Sequence, residues 1–300
     1  MKTLKVMIKR NVKLFFHDKG LFFTSLITPV ILLVLYATFL GNVYRDAFLS
    51  GLPKGVSMAK KLLEGCVGGQ LISSILAVSC ITVAFCSNML MVQDKANGAI
   101  TDIMISPVKA SKLALGYYLS TLASTLIICF TATAICLAYV AFIGWYMTVG
   151  DVLLLVLDVF LLVMFGTALS SVINFFLSTQ GQISAVGSMV SSCYGFISGA
   201  YMPISQFSAG LQKVISFLPG TYGTSLLRSH AMRGAFAEMT RVGFSEKAVE
   251  EMEDAIDCNL YFFGTKVNDT TKAVILVVSI AVLLGVYVLM NRARIRKNNR

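Results

Sequence analysis

Six runs of this chain are apolar for long enough to cross a bilayer: residues 20–41, 66–92, 113–143, 152–177, 183–202 and 273–290. Crossing a hydrocarbon core of about 30 Å takes roughly 20 apolar residues in a helix. Lipid offers no partner to a backbone N–H or C=O, so each run must satisfy its own hydrogen bonds, which favours helices. A water-soluble core has no use for this much continuous apolar sequence. With 56% hydrophobic and 13% charged residues and a mean hydropathy of +0.77, the expected class is an all-α integral membrane protein with six transmembrane helices. Pro29 inside the first run predicts a kink. The third run is longer than a perpendicular crossing needs, so it must tilt or protrude.

Lys and Arg set the orientation. The N-terminal segment carries Lys2, Lys5, Lys9, Arg10, Lys13 and Lys19 against Asp18, and the C-terminal tail carries Arg292, Arg294, Arg296, Lys297 and Arg300 without an acid. An even number of spans puts both termini on one side, and the positive-inside bias makes that side cytoplasmic. The expected location is the plasma membrane, multi-pass. Arg45, Lys54, Lys60 and Lys61 in the first outer loop run against the bias, but the ends outweigh them. The loop after the fifth span is acidic, with Glu238, Glu246, Glu250, Glu251, Glu253, Asp254 and Asp257. The net charge of +10 therefore reads as an anchor on anionic lipid rather than a nucleic-acid surface.

Before the first span, Leu4, Ile8, Val12, Phe15 and Phe16 recur at helical spacing opposite Lys5, Lys9 and Lys13, as in an amphipathic helix lying on the membrane. The first span lacks a small-residue cleavage pattern and reads as retained. Six of the seven cysteines fall in or beside spans, where they act as small apolar residues; only Cys258 reads as exposed. No metal-ligand cluster is evident.

The loop between the second and third spans is the most telling short segment: Gln93-Asp94-Lys95-Ala96-Asn97-Gly98-Ala99-Ile100, then Ile103-Met104-Ile105-Ser106-Pro107-Val108. Ile100, Ile103 and Met104 share a helical face and Pro107 stops the helix. Periodicity leaves two readings open, a helix that docks in another protein's groove and a plain surface helix. Leu115-Gly116 follows, and after the fifth span come Ser198-Gly199-Ala200-Tyr201-Met202-Pro203-Ile204, Phe217-Leu218-Pro219-Gly220-Thr221-Tyr222 and Leu227-Arg228. In order and spacing these segments resemble type-2 ABC exporter permeases over essentially the whole chain.

The resemblance implies the membrane half of an ATP-driven exporter, a homo- or heterodimer with two separate ABC ATPase subunits. Residues 1–19 would hold the cytoplasmic connecting helix. Residues 20–202 would hold spans one to five with a coupling helix at 94–108, in which Asp94, Gly98, Ile100, Ile103, Met104 and Pro107 serve the ATPase. Residues 203–270 would form outer re-entrant helices, marked by Gly199, Pro203, Pro219 and Tyr222, and an acidic outer subdomain. Residues 271–300 would be the sixth span and basic tail. Gln93-Asp94 departs from the commoner pair of glutamates around an arginine, which leaves the local ion-pair partner unassigned. No GxxxxGK[ST] occurs, so no cofactor is expected on the chain itself, and ATP and Mg would act through the partner ATPase.

Ile204, Phe207, Leu211, Val214, Ile215 and Leu218 recur at helical spacing, predicting a short re-entrant or interfacial helix over 203–218. Ser245 to Ile256 reads as an acidic helix. Asp158, two turns from Asp151 on one face of the fourth span, is costly in lipid. It is read as a structural carboxylate near the outer interface in preference to a polar point in an export path. Ser120-xxx-Ser124 and Gly195-xxx-Gly199 suggest close helix contacts at a dimer seam. Trp145 and Tyr146 read as interfacial anchors, His17 and His230 as unpartnered, and Asn268-Asp269-Thr270 as a glycosylation sequon. Two other functions compete. Ser225 and His230 would form the dyad of an intramembrane serine hydrolase, although no glycine-flanked nucleophile is present; a channel or scaffold lacks any span with a ring-forming set of charges. No catalytic residue is assigned.

Overall fold

The computed structural model describes residues 2–50, 58–105 and 110–298. The amphipathic N-terminal segment forms α1 (Lys2–His17). Asp18 then caps α2 (Lys19–Leu35) by accepting the Leu21 N–H at 3.1 Å. The same rod continues through a π-turn (Tyr36–Leu40) into α3 (Gly41–Ser50). Next come α4 (Lys60–Ser87), α5 (Met89–Ala96), α6 (Ala99–Ile105), α7 (Ala110–Ile143) and α8 (Val149–Phe175). Thr148 and Asp151 form a reciprocal capping box that starts α8. Thr179 and Gln182 do the same for α9 (Gln180–Ile197).

A 3₁₀ turn (Ile204–Gln206), α10 (Ala209–Ile215), α11 (Pro219–Arg241) and α12 (Glu246–Ala255) follow. A hairpin of β1 (Leu260–Phe262) and β2 (Thr265–Val267) leads to α13 (Asp269–Asn298). Ser245 caps α12 through the Ala248 N–H, so the acidic helix stands where its sequence placed it.

Among the described residues five segments are long and apolar enough to cross a membrane: Lys19–Asp46, Lys60–Ala96, Ser111–Ile143, Val149–Phe175 and Asp269–Ala293. They correspond to the first, second, third, fourth and sixth expected spans. The expected fifth span corresponds to α9. It has 18 residues, and its two glutamines and four serines dilute its apolar character.

Helix α4 occupies the centre, packed by α2, α7, α8, α9 and α11. Its Gly, Ala, Ser and Cys side chains let neighbours approach closely. A Cβ on Gly69 would press into the Ala231 carbonyl and Met232 of α11, and one on Gly65 into the Tyr146 ring. The two termini share one end of the bundle, because Met7 of α1 and Tyr287 of α13 belong to one buried cluster with Met91, Leu113, Tyr117 and Tyr118.

Between α9 and α13 the structure departs from the sequence reading. The expected single helix over 203–218 is interrupted, because the Ile204 N–H goes to the Asp257 carboxylate and the Phe207 and Leu218 N–H groups close tight turns instead of continuing one spiral. The largest element there is α11, which the sequence reading had divided between motif and loop. Its mixed composition hides it: Gly223 and Gly234 sit where Leu162 and the Tyr146 backbone leave no room for a side chain.

Candidate functional site

At the end bearing the termini, three helices converge on one carboxylate. Asp94 on α5 accepts from Arg10 Nη1 of α1 at 2.8 Å, from Arg10 Nη2 at 3.3 Å and from the Tyr117 hydroxyl of α7 at 2.7 Å. Arg10 supplies the ion-pair partner that the sequence left unassigned. That hydrogen bond holds its guanidinium above the ordinary arginine range, against the desolvation that opposes it. The next residue, Asn11, donates to Ser120 Oγ at 3.2 Å, and Met7 fills the notch left by Gly116. Ser120 therefore faces α1, which corrects its assignment to a dimer seam.

Asn88 marks the break between α4 and α5. Its amide donates to Ser170 and Ser171 of α8 at 3.0 and 3.1 Å. Lys95 reaches the end of α8, where its ammonium donates to the carbonyls of Asn174, Phe175 and Leu177 at 2.7, 2.8 and 3.1 Å. A cation at a helix C-terminus is favoured twice, by hydrogen bonding to the terminal carbonyls and by the dipole. Gly98 has φ +77, a left-handed position just past α5 that glycine takes without strain. It turns the chain into α6, from which Ile100 and Ile103 pack against the buried cluster of Met7, Met91 and Tyr117. Asp102 is exposed. Pro107 and the side chain of Met104 lie outside the described residues.

The opposite end is held by buried charge. Arg228 on α11 is fully buried; it donates to the carbonyls of Ile256 and Gly199 at 2.5 and 2.9 Å and to Ser74 Oγ of α4 at 3.3 Å. Asp257 lies 3.6 Å from it and accepts the Ile204 N–H at 2.8 Å. Burial pushes the Asp257 carboxyl up to about 6, against the pull of Arg228 and of that N–H. Gly199, at φ +74, backs on to Asp257 and Ile204, and a Cβ on Gly195 would meet the Tyr201 ring. This pair of glycines thus serves a turn within the chain, not the proposed helix seam. Pro203 precedes the 3₁₀ turn and Pro219 opens α11. Tyr222 is buried beside Ile204, Ile215 and Leu260 and donates to the Ser216 carbonyl at 2.5 Å.

Asp158 is buried and bonded to His230 Nδ1 of α11 at 2.5 Å. Two turns earlier on α8, Asp151 lies 3.3 Å from Arg233. His230 is therefore partnered, contrary to the sequence reading, and Asp158 is bonded to a neighbouring helix. The spacing gave no cue, because the acids stand seven apart on α8 and the bases three apart on α11. Ser225 does not join them, because its Oγ donates to the Cys258 carbonyl at 2.9 Å. Cys258 is buried, not exposed, with its carbonyl also taken by Ser229 and Lys272; Cys193 is the exposed cysteine among those described.

A cavity of about 700 Å³ opens between the π-turn, α3, α4, α9 and α12, lined among others by Phe39, Tyr44, Gln70, Phe196, Tyr201 and Glu251. Among the described residues, the Tyr44 hydroxyl and Gln70 Oε1 are buried there without a hydrogen-bond partner. That volume lies within the range of small-molecule sites, and its mixed lining suits a ligand that is largely apolar with a few polar groups.

Residues 2–231 match the family described as ABC-2 type transporter. The chain belongs to that family. It is a multi-pass membrane protein with the membrane domain of an ABC transporter permease subunit, and permeases of the family work in general with ABC ATPase partners. No curated protein matches the chain significantly.

Proposed function

We propose that this chain is the permease subunit of an ATP-driven exporter in the plasma membrane, dimeric, with both termini cytoplasmic. It would move an amphipathic cargo outward by alternating access when separate ATPase subunits close. The observation that carries the reading is the Arg10–Asp94–Tyr117 junction, which locks the N-terminal helix to the α5–α6 elbow. An ATPase pressing on Asp102 or α6 would meet an element fixed through Asp94 to α7 and through Lys95 to α8. Force delivered there reaches the spans instead of being lost in a loose loop.

In this reading α9 is the fifth of six crossing helices, and residues 203–219 with α11 form the re-entrant outer element. In support of this, Leu218, Pro219 and Gly220 line one groove with Phe165 and Leu169 of α8 and Val278 and Val282 of α13, well along both spans. The amphipathic cargo class rests on the cavity beside Tyr44 and Gln70.

The test is co-purification from native membranes followed by cysteine crosslinking from Asp102→Cys. An ABC ATPase should co-purify and crosslink at that position. An intact complex that never crosslinks there removes the elbow from its role, and a complex lacking any ATPase overturns the exporter reading.

A further inference from the structure

We infer that the tip of the β1–β2 hairpin, Phe262 and Phe263 together with Phe217, is seated in the acyl region of the lipid leaflet at the end away from the termini. The hairpin is a two-residue type, with Leu260 opposite Val267, Tyr261 opposite Lys266 and Phe262 opposite Thr265. Its turn residues Phe263 and Gly264 have φ +48 and +85. Such turns demand left-handed backbone at both central positions and normally place Asn or Asp before Gly. Phenylalanine adopts that conformation only against steric resistance, so the turn accepts a poor residue in order to present an aromatic ring at its tip.

The ring has little protein to cover it. Phe263 is 65% exposed and Phe217 is 64% exposed, although the three rings contact one another edge to face at 4.8, 5.4 and 6.0 Å. The hairpin's polar side chains turn away from them. Tyr261 bonds Asp254 and Lys266 bonds Glu250, both on α12. The result is a two-sided element, wet against the acidic helix and aromatic at the tip.

The depth of the tip follows from its neighbours. Leu260 and Val267 pack with Tyr222 and with Ile275 of α13. Phe217 directly precedes Leu218, which lines a groove with Val278 and Val282. At 1.5 Å per residue, Val278 lies about 13 Å along α13 from Asp269. The hairpin therefore folds back beside the span instead of projecting past its end. The adjoining face of α13 is open and apolar, with Val274, Val278 and Val282 each more than half exposed. The aromatic tip continues that lipid-facing surface, and Leu211 and Val214 of α10 are likewise exposed. Acyl chains are the occupant that both surfaces share.

Trp145 is the sole tryptophan, so a Trp145→Phe background makes single reporters practical. Phe263→Trp in vesicles of phosphatidylcholine brominated on its acyl chains should lose emission as strongly as Val278→Trp, and acrylamide should affect it little. Lys247→Trp on exposed α12 should show the reverse. If acrylamide alone quenches the Phe263→Trp reporter, the tip lies in water; if neither agent does, it lies against protein, such as a second copy. Either result overturns the inference. Phe217→Trp, outside the turn, gives the same readout if the first reporter disturbs the hairpin.

Discussion

Helices α4 and α13 are both long and both strongly apolar, yet they occupy opposite environments. The best window of α4 has a mean hydropathy of 2.1 and is 89% buried inside the protein; that of α13 reaches 2.9 and is 17% buried. Hydropathy alone ranks the wrong helix as the more interior. The difference lies in side-chain size and polarity. α4 is built from Gly, Ala, Ser and Cys, which allow backbones to close on it and hydrogen-bond across contacts, whereas α13 presents Val and Leu to lipid. In a membrane, lipid is as good a solvent as a protein core for Val and Leu, so burial tracks packing, not greasiness.

That contrast can be broken or sharpened by measurement. The largest effect is expected next to α4, at the buried charge that α11 brings to Ser74. Asp257→Ala leaves Arg228 without its acid and should lower stability by about 3–5 kcal/mol, read as an earlier unfolding midpoint in detergent. Gly69→Val should come next. The Ala231 backbone cannot move aside, and overpacking of this kind costs about 1–3 kcal/mol. If Gly69→Val unfolds with the native midpoint, α4 is less tightly enclosed than described. Asp94→Asn should cost about 1–3 kcal/mol by weakening a charge-assisted bond to Arg10; within a purified complex it should uncouple transport from ATP hydrolysis, while ATPase binding persists. Val278→Ala on the lipid face of α13 should stay within about 0.5 kcal/mol.

Acidity offers a further probe of the enclosed side. The Asp257 carboxyl titrates at about 6 when folded, against 3.8 for the ordinary aspartate side chain. Between those values the folded protein holds more protons than the unfolded chain. Its stabilising contribution is complete below about 3.8 and disappears as pH rises through about 6. The unfolding midpoint should therefore fall over that interval, and Asp257→Asn should flatten the slope. A slope of opposite sign would mean that Arg228 dominates the environment of this carboxylate.

Much of the architecture was legible in the residues. Apolar length located α2, α4, α7, α8 and α13, and the Leu4–Ile8–Val12–Phe15 spacing located α1. Asp94 was singled out at the elbow, although its partner was not, because Arg10 stands 84 positions away in sequence and looked like one lysine-type anchor among several. Helix α11 escaped for a related reason. Its hydrophobic pattern is weak because it is enclosed on several sides by α4, α8 and α13, and it buries Arg228 and His230 where a periodic apolar stripe would be sought. The Asp158–His230 pair was hidden by treating each residue within its own segment. The acids stand seven apart and the bases three apart, so even the spacing on the two helices did not announce the pairs.

Lys95 carries one more implication. Its ammonium stands in for the amides that would have followed Phe175 had the helix gone on, so α8 ends on a borrowed donor that belongs to α5. Neither element can slide past the other without breaking the three hydrogen bonds that Lys95 donates. Mechanically the elbow and the foot of α8 are one piece, and whatever tilts the first must carry the second along.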